Sequence, residues 1–297
     1  MSLAADMEAT SEEFTARWQA NDQELKCGDP AWIMGILNLT PDSFSDGGLH
    51  AGRDAAIRRA EEMVGQGAKI LDIGGESSRP GAQPVAAAEE IQRTRAVVGE
   101  LKRRFPQVLV SIDTTKSAVA RSALDQGADI INDISGFCAD PEMVDLAAQS
   151  DCGVVLMHMK GTPQTMQVAP SYGDVVSEMR EYFSQRLAVC LDRGIRPERI
   201  CFDPGIGFGK AHEHNLALLN SLSDLAPKGH LLLLGVSRKS VIGRCLGDAE
   251  MSLRDWPTVA LTARARRDGV LLHRVHEVDA ASQALRMTEA LMAKELS

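Results

Sequence analysis

The chain is predicted to fold as a single-domain α/β protein, a closed (β/α)8 TIM barrel. Three observations carry that expectation. Short apolar runs recur along the 297 residues, stretches with helical spacing separate them, and polar residues gather where each run ends. The runs are 33–38, 70–74, 108–113, 130–134, 154–158, 200–203, 231–235 and 271–275. Continuous rather than alternating apolarity suits strands buried on both faces, as in a parallel sheet. Helical spacing marks 54–65, 86–104, 116–125, 175–193 and 257–267. Gly67, Gly127, Gly194 and Gly269 fall where a helix C-terminus favours glycine. Eight strand candidates alternating with helices favour closure into a barrel over an open doubly wound sheet. A flexible tail is expected over 1–17 and one barrel domain over 18–297, with the segment from Trp18 to Pro30 covering the barrel bottom.

Composition narrows the function classes. Hydrophobic residues make up 44% and charged residues 25%, which suits a soluble globular enzyme with one large core. A net charge of −9 and a pI near 5.3 argue against nucleic acid and anionic membrane surfaces as partners. An anionic ligand therefore requires a local basic cluster. Six scattered cysteines without a CxxC pair read as reduced, mostly buried thiols. No apolar run approaches a membrane span, and the start of the chain lacks the features of a signal peptide, so a cytoplasmic location is expected.

The mouth formed by the C-terminal strand ends is where a barrel of this kind holds its chemistry. Asn38, Asp113, Asn132, Asp203, Lys239, Arg274 and His276 all fall there. Singly, each Asp or Asn suits a strand-end or capping role. Jointly they demand partners, since an unpaired buried polar group costs about 1–3 kcal/mol. A ligand rich in hydrogen-bonding groups would supply them.

Seven motifs run through these ends. They are Asn38-Leu-Thr-Pro-Asp-Ser-Phe-Ser-Asp-Gly-Gly48, Gly74-Gly-Glu-Ser-Ser-Arg-Pro-Gly81, Ser111-Ile-Asp-Thr-Thr-Lys116, Ile131-Asn-Asp-Ile-Ser-Gly136, Phe202-Asp-Pro-Gly-Ile-Gly-Phe-Gly-Lys210, Gly235-Val-Ser-Arg-Lys-Ser240 and Arg274-Val-His-Glu-Val278. In this order, over residues 18–287, the chain resembles the dihydropteroate synthase family. The resemblance implies a transferase of a pterinylmethyl group in folate biosynthesis, and a sulfonamide target. Its reaction condenses 6-hydroxymethyl-7,8-dihydropterin diphosphate with p-aminobenzoate, giving 7,8-dihydropteroate and diphosphate.

Site residues follow from the resemblance. The pterin falls to Asp113, Asn132, Asp203 and Lys239, with the backbone near Ile134, Met157 and Gly235. Diphosphate falls to Asn38, Arg79, Arg274 and His276, of which Arg274 and His276 alternate by two and point one way. They form the local cluster that the acidic chain requires. Phe44, Ser78, Arg79, Pro80, Phe208, Ser237 and Lys239 would build the p-aminobenzoate site. Asn38 resembles the Mg²⁺ ligand, and Asp46 would hold a water of that ion. Asp203, Lys239, Arg274 and His276 form the catalytic set of a dissociative reaction without a side-chain nucleophile. The loops after the first two barrel strands are expected to act as lids that are mobile without ligand, and the assembly is expected to be a homodimer.

Three positions depart from the family pattern: Ser78 replaces Thr, Glu277 replaces Asp and Ala211 replaces Thr. None removes a group that the reaction needs. His212-Glu-His214 reads as an exposed helix start rather than a metal pair, and His158 stays outside the catalytic set as a pocket or core residue. Arg264, Arg266 and Arg267 read as a solvated helix face. Folate-dependent methyltransferases that feed a corrinoid protein are one rival, but they have no use for Arg274, His276 and the Ser237-Arg-Lys239 motif. A non-catalytic pterin-binding paralogue is the other, and the intact Asn38, Phe44, Arg79 and Lys239 argue against it.

Overall fold

A computed structural model describes residues 15–39 and 48–295. A short antiparallel hairpin comes first, β1 (Arg17–Ala20) and β2 (Gln23–Lys26). The barrel strands are β3 (Trp32–Asn38), β4 (Ile70–Gly74), β5 (Leu109–Asp113), β6 (Ile130–Asp133), β7 (Gly153–Met157), β8 (Ile200–Asp203), β9 (Leu231–Leu234) and β10 (Leu272–Val275). They close in the order β10-β3-β4-β5-β6-β7-β8-β9, and each pairing is parallel. Every expected strand is present, with ends shifted by a residue at most.

Around the strands run α1 (Gly48–Gly65), α2 (Ala87–Arg104), α3 (Ser117–Leu124), α4 (Glu142–Ala148), α5 (Val175–Asp192), α6 (His212–Leu219), α7 (Ser240–Cys245), α8 (Asp255–Arg267) and α9 (Val278–Glu295). Helix α1 begins well before residue 54, because Gly48 and Gly52 blur the helical signal there. Gly67, Gly127, Gly194 and Gly269 adopt φ of 103°, 92°, 82° and 92°, the left-handed turn that ends a helix at little cost only for glycine. No helix among the described residues is long and apolar enough to cross a membrane.

Alternation along the strands sorts the interior into layers. At the bottom, Met34, Ile70, Leu109, Ile130, Val155, Cys201, Leu233 and Leu272 form one apolar cluster with Trp18, Ala20 and Leu25 of the hairpin. The hairpin thus plugs the barrel, as the sequence suggested. Trp18 is wholly buried and its indole N–H donates to Arg199 O at 3.0 Å. Gly153 opens β7 because a Cβ there would lie 2.9 Å from both Ala20 Cβ and Trp18 Cζ2. Two residues further along each strand, the same inward face carries Ile36, Asp72, Ser111, Asn132, Met157, Asp203, Gly235 and Arg274. An apolar floor therefore supports a polar layer, which opens at the mouth.

Candidate active site at the barrel mouth

The polar layer is organised by Arg274 of β10. Its Nε donates to Asp72 Oδ2 on β4 at 2.6 Å, and its Nη2 donates to Asp113 Oδ2 on β5 at 2.7 Å. Asn132 on β6 donates through Nδ2 to Asp72 Oδ2 at 3.2 Å. Asp72 is fully buried. It is the chief residue that the sequence reading passed over, and the signal available was a lone charge inside an apolar run. Burial works against the Arg274 cation, but Asp72 and Asp113 more than offset it, so its pKa lies above the ordinary arginine range. Burial pushes Asp113 up to about 7 against the pull of Arg274, with the charges of Asp72 and Glu90 adding to the rise.

Register sets a second row beside this network. Asn38, Gly74, Asp113 and Asn132 are successive cross-strand partners. A Cβ at residue 74 would lie 3.6 Å from Asn38 Oδ1 and 3.8 Å from Asp113 Cβ, so the glycine keeps the space between them open. Asp203 closes β8, where Gly205 N donates to its Oδ1 at 2.7 Å. Burial raises the Asp203 pKa, opposed by the charge of Lys239 and then by the Gly205 N–H. A Cβ at residue 235 would stand 3.4 Å from Asp203 Oδ2 and 3.8 Å from Arg274 Cβ, so this glycine too leaves a slot.

The loop after β9 turns one side chain outward and two toward the mouth. Arg238 sits in the left-handed region at φ 59°, a conformation that costs a non-glycine residue about 1 kcal/mol. Its guanidinium is held away from the mouth by Asp255 at 2.6 and 2.9 Å and by Glu277 at 2.6 Å. The glutamate that departs from the family pattern thus anchors the loop from behind. On the inner side, Ser237 Oγ accepts from His276 N at 3.2 Å and lies 2.9 Å from His276 Nδ1. In the tautomer where that hydroxyl donates to Nδ1, the imidazole proton stands on Nε2. Burial, then the charges of Arg238, Arg274 and Arg79, hold His276 down at about 3. His276 is therefore a neutral donor, not the cation that an anion-binding cluster would suggest. Lys239 lies over the Phe208 ring, with Nζ 4.6 Å from the centroid. Burial lowers Lys239 to about 8 despite the opposing pull of Asp203.

Ser78 reaches the site from the loop between β4 and α2. It lines a small, half-open cleft with Asp113, Thr114, Lys116, Ile134 and Pro163. Arg79 and Pro80 are exposed near the tip. That tip rests on the β7–α5 loop through Gly81 N to Pro163 O at 3.0 Å and Gln164 Nε2 to Ala82 O at 2.9 Å. Lys116 ties the loop base to Glu76 and to the buried Glu90. Neither this β7–α5 contact nor the Lys116 pair was legible beforehand. Phe44 and Asp46 lie outside the described residues.

Some expectations fail here. His212 and His214 are half-buried rather than exposed: His214 Nδ1 accepts from Ala211 N at 3.1 Å, and its ring packs edge-on against Tyr172. The histidine cap compensates for Ala211, whose side chain caps nothing. Arg266 is not solvated; it is buried and donates to Glu289 at 2.8 Å and to Asp29 O at 3.2 Å, at the far end from the mouth. Three of the six free cysteines, Cys27, Cys138 and Cys245, are exposed, where mostly buried thiols were expected. His158 is a satisfied core residue. Among the described residues no group of three or more His, Cys, Asp or Glu could hold a metal ion.

Fold and site together define a closed (β/α)8 barrel whose mouth holds a buried network of carboxylates, an amide and a guanidinium. The profile of the family described as pterin binding enzyme matches residues 34–276. A dihydropteroate synthase from Synechocystis sp. is 46% identical over 264 residues, which is 89% of this chain and 91% of that protein. The crystal structure of Burkholderia cenocepacia dihydropteroate synthase complexed with 7,8-dihydropteroate superposes with a TM-score of 0.85 at 44% identity, covering 95% of this chain and 98% of that one. That of the Yersinia pestis dihydropteroate synthase with a sulfonamide drug complex gives 0.87 at 39% identity, covering 93% and 99%. The chain belongs to the dihydropteroate synthases within the pterin binding enzyme family.

Removing one partner of a buried ion pair costs about 3–5 kcal/mol, because the other charge is stranded. Asp72→Ala should therefore lower the unfolding free energy by about 3 kcal/mol. In a double-mutant cycle with Arg274→Met, measured by urea denaturation, the paired loss should fall short of the sum by at least about 1 kcal/mol. Strict additivity would show that the two side chains do not act as a pair.

Proposed function

We propose that the barrel mouth carries out the dihydropteroate synthase reaction, joining the pterinylmethyl group of 6-hydroxymethyl-7,8-dihydropterin diphosphate to the amine of p-aminobenzoate. The observation that carries this reading is the polar throat itself. Asp72, Asp113 and Asp203 accept from Arg274, Asn132 and Gly205 N, but Asp113 Oδ1 and Asp203 Oδ2 accept from none of the described residues, so the buried cluster has acceptor capacity to spare. An aminopyrimidinone edge, rich in N–H donors, is what such a cluster receives. In this reading Asp113, Asn132 and Asp203 take that edge, Lys239 closes it from the side, and Ile134, Met157 and Gly235 border the ring.

The reaction breaks the bond between the methylene carbon and the diphosphate oxygen. The aniline nitrogen then forms a bond to that carbon and gives up a proton. Catalysis requires stabilising the departing charge and the electron-poor methylene. Arg274, Arg79, His276 and Asn38 serve the diphosphate, with His276 contributing an Nε2–H hydrogen bond rather than a charge. Asp203 lies on the side where the carbocation-like pterin develops. The amine would sit among Ser78, Arg79, Pro80, Phe208, Ser237 and Lys239, with Phe44 from the first loop. Asn38, with Asp46, would hold Mg²⁺, since one or two oxygen donors suit an ion that keeps waters and bridges phosphates. When bound, that ion would neutralise the leaving diphosphate.

Assembly completes the reading. Leu246, Met251, Leu253 and Trp256 are 47%, 44%, 64% and 80% exposed, and they fall within the short segment from the end of α7 to the start of α8. Large apolar side chains exposed so close together along the chain suit an interaction surface, here for a second copy of the chain. The six free thiols suit a reducing, cytoplasmic location. Light scattering should give twice the 32.0 kDa chain mass, and Trp256→Glu should shift it to the monomer. An unmodified chain that stays at the single-chain mass would refute the dimer.

The decisive assay supplies the dihydropterin diphosphate, p-aminobenzoate and Mg²⁺, and follows diphosphate release. Product should form, and Lys239→Ala or Arg274→Ala should lower kcat/KM at least about tenfold. Because Lys239 is charged below about 8 and loses its proton above, kcat/KM should fall as pH rises through that value. The acid side should show no step near 6 from His276, which is already neutral there. Binding of the pterin without turnover would favour a non-catalytic paralogue.

A further inference from the structure

We infer that Lys210 is a positioning residue for this reaction: its ammonium is the internal cation around which the 203–210 loop is wound, and through that loop it fixes Asp203 at the end of β8 and the Phe208 ring beneath Lys239. The inference rests on the functional reading above and adds a residue that has no part in it. Lys210 is 2% exposed. Its Nζ lies 3.0 Å from Gly205 O, 3.0 Å from Phe208 O, 3.2 Å from His158 O and 2.9 Å from His158 Nδ1. Three N–H groups thus meet four acceptors, and none of these partners is a carboxylate. A buried charge without an ion pair is expensive unless its donors are fully used, as they are here.

The loop has no room to settle in another way. Gly205, Gly207 and Gly209 adopt φ of 62°, 85° and 64°. A Cβ at residue 205 would lie 2.0 Å from His158 O, and one at residue 209 would lie 2.2 Å from Lys160 O. Glycine lets the loop press against the backbone at the end of β7, and this aims carbonyls from both segments at one point. Without a cation there, their dipoles repel and each buried oxygen loses its donor. With the cation in place, Gly205 N reaches Asp203 Oδ1 at 2.7 Å, and the Phe208 ring stands under Lys239 Nζ at 4.6 Å. Asn215 Oδ1 clamps Gly207 N at 2.6 Å from the helix side. Burial, then the Lys210 charge, hold His158 at about 3, so its ring is neutral and Nδ1 can accept from the ammonium. Burial pushes Lys210 itself well below the ordinary lysine range, while Asp203 pulls it back.

Lys210→Met keeps most of the side-chain volume without the charge, and Lys210→Ala leaves a void that a small amine fills. Steady-state kinetics of each, with both substrates varied, should show KM for the pterin and for p-aminobenzoate rising together. The loss in kcat/KM should be about tenfold to a hundredfold, the scale of a misplacement of roughly 1 Å. Ethylammonium or propylammonium should restore part of the activity of Lys210→Ala and none of that of Lys210→Met. A Lys210 that merely supports the fold would lower the active fraction, and so kcat, with both KM values unchanged. That result, or a folded Lys210→Met with normal kinetics, overturns the inference. Should neither variant fold, the unmodified protein still decides. Its ¹⁵N-lysine spectrum should contain one ammonium signal protected from solvent exchange, and a spectrum without one rejects the cage. An unmodified protein without turnover would refute the functional reading, while that ammonium signal would still judge the cage on its own.

Discussion

Placing a guanidinium in the throat of a closed barrel is unfavourable unless carboxylates meet it there, and Arg274 meets two. Asp72 and Asp113 come from neighbouring strands, and Arg274 reaches them from β10, two places around the barrel from β4. Such a network contributes little net stability compared with an apolar core of the same volume, but any one member becomes costly once its partners are lost. It therefore fixes a geometry. The planar guanidinium, pinned along one side, gives the mouth a flat, rigid element between Asp203 and Asp113. The glycines at 74 and 235 leave the adjoining space unfilled.

In the proposed reaction the same network would let an acidic chain handle an anionic substrate. Carboxylates crowd the inner part of the mouth, while Arg79, Ser237 and His276 lie toward its rim. One charged group, Arg274, belongs to both parts. Burial, and then neighbouring cations, keep His276 neutral, so the rim offers hydrogen-bond donors and a few well-placed charges rather than a dense positive patch. A flat donor-rich ring held inside and a leaving anion held outside would thus be stretched across a single arginine.

Much of this was legible in the sequence, and the failures have physical causes. Strand ends were readable because buried parallel strands are apolar throughout, so Asp113, Asn132 and Asp203 stand out where each run stops. Asp72 was hidden by the same rule, since it interrupts a run in the middle, and only its cross-barrel partner gives it meaning. Local sequence could not reveal that the 75–86 loop leans on Pro163 and Gln164, because that contact joins segments about 80 residues apart. Lys210 was visible as the end of a glycine-rich motif, but its cage includes His158 from another strand. Arg266 looked like part of a basic face because charge periodicity on a helix cannot report a half-buried Glu289 opposite.

In the proposed reaction the throat would read a pterin edge with its carboxylates and amide, and Arg274 would link that edge to the leaving group. A crystal structure of this protein with 7,8-dihydropteroate bound tests it most directly. The pterin edge should lie within hydrogen-bonding distance of Asp203 and Asn132, with the ring against the Arg274 guanidinium and the p-aminobenzoyl group near Phe208. Product bound at the rim or in another cleft, with the Arg274 network closed and untouched beneath it, would contradict that claim.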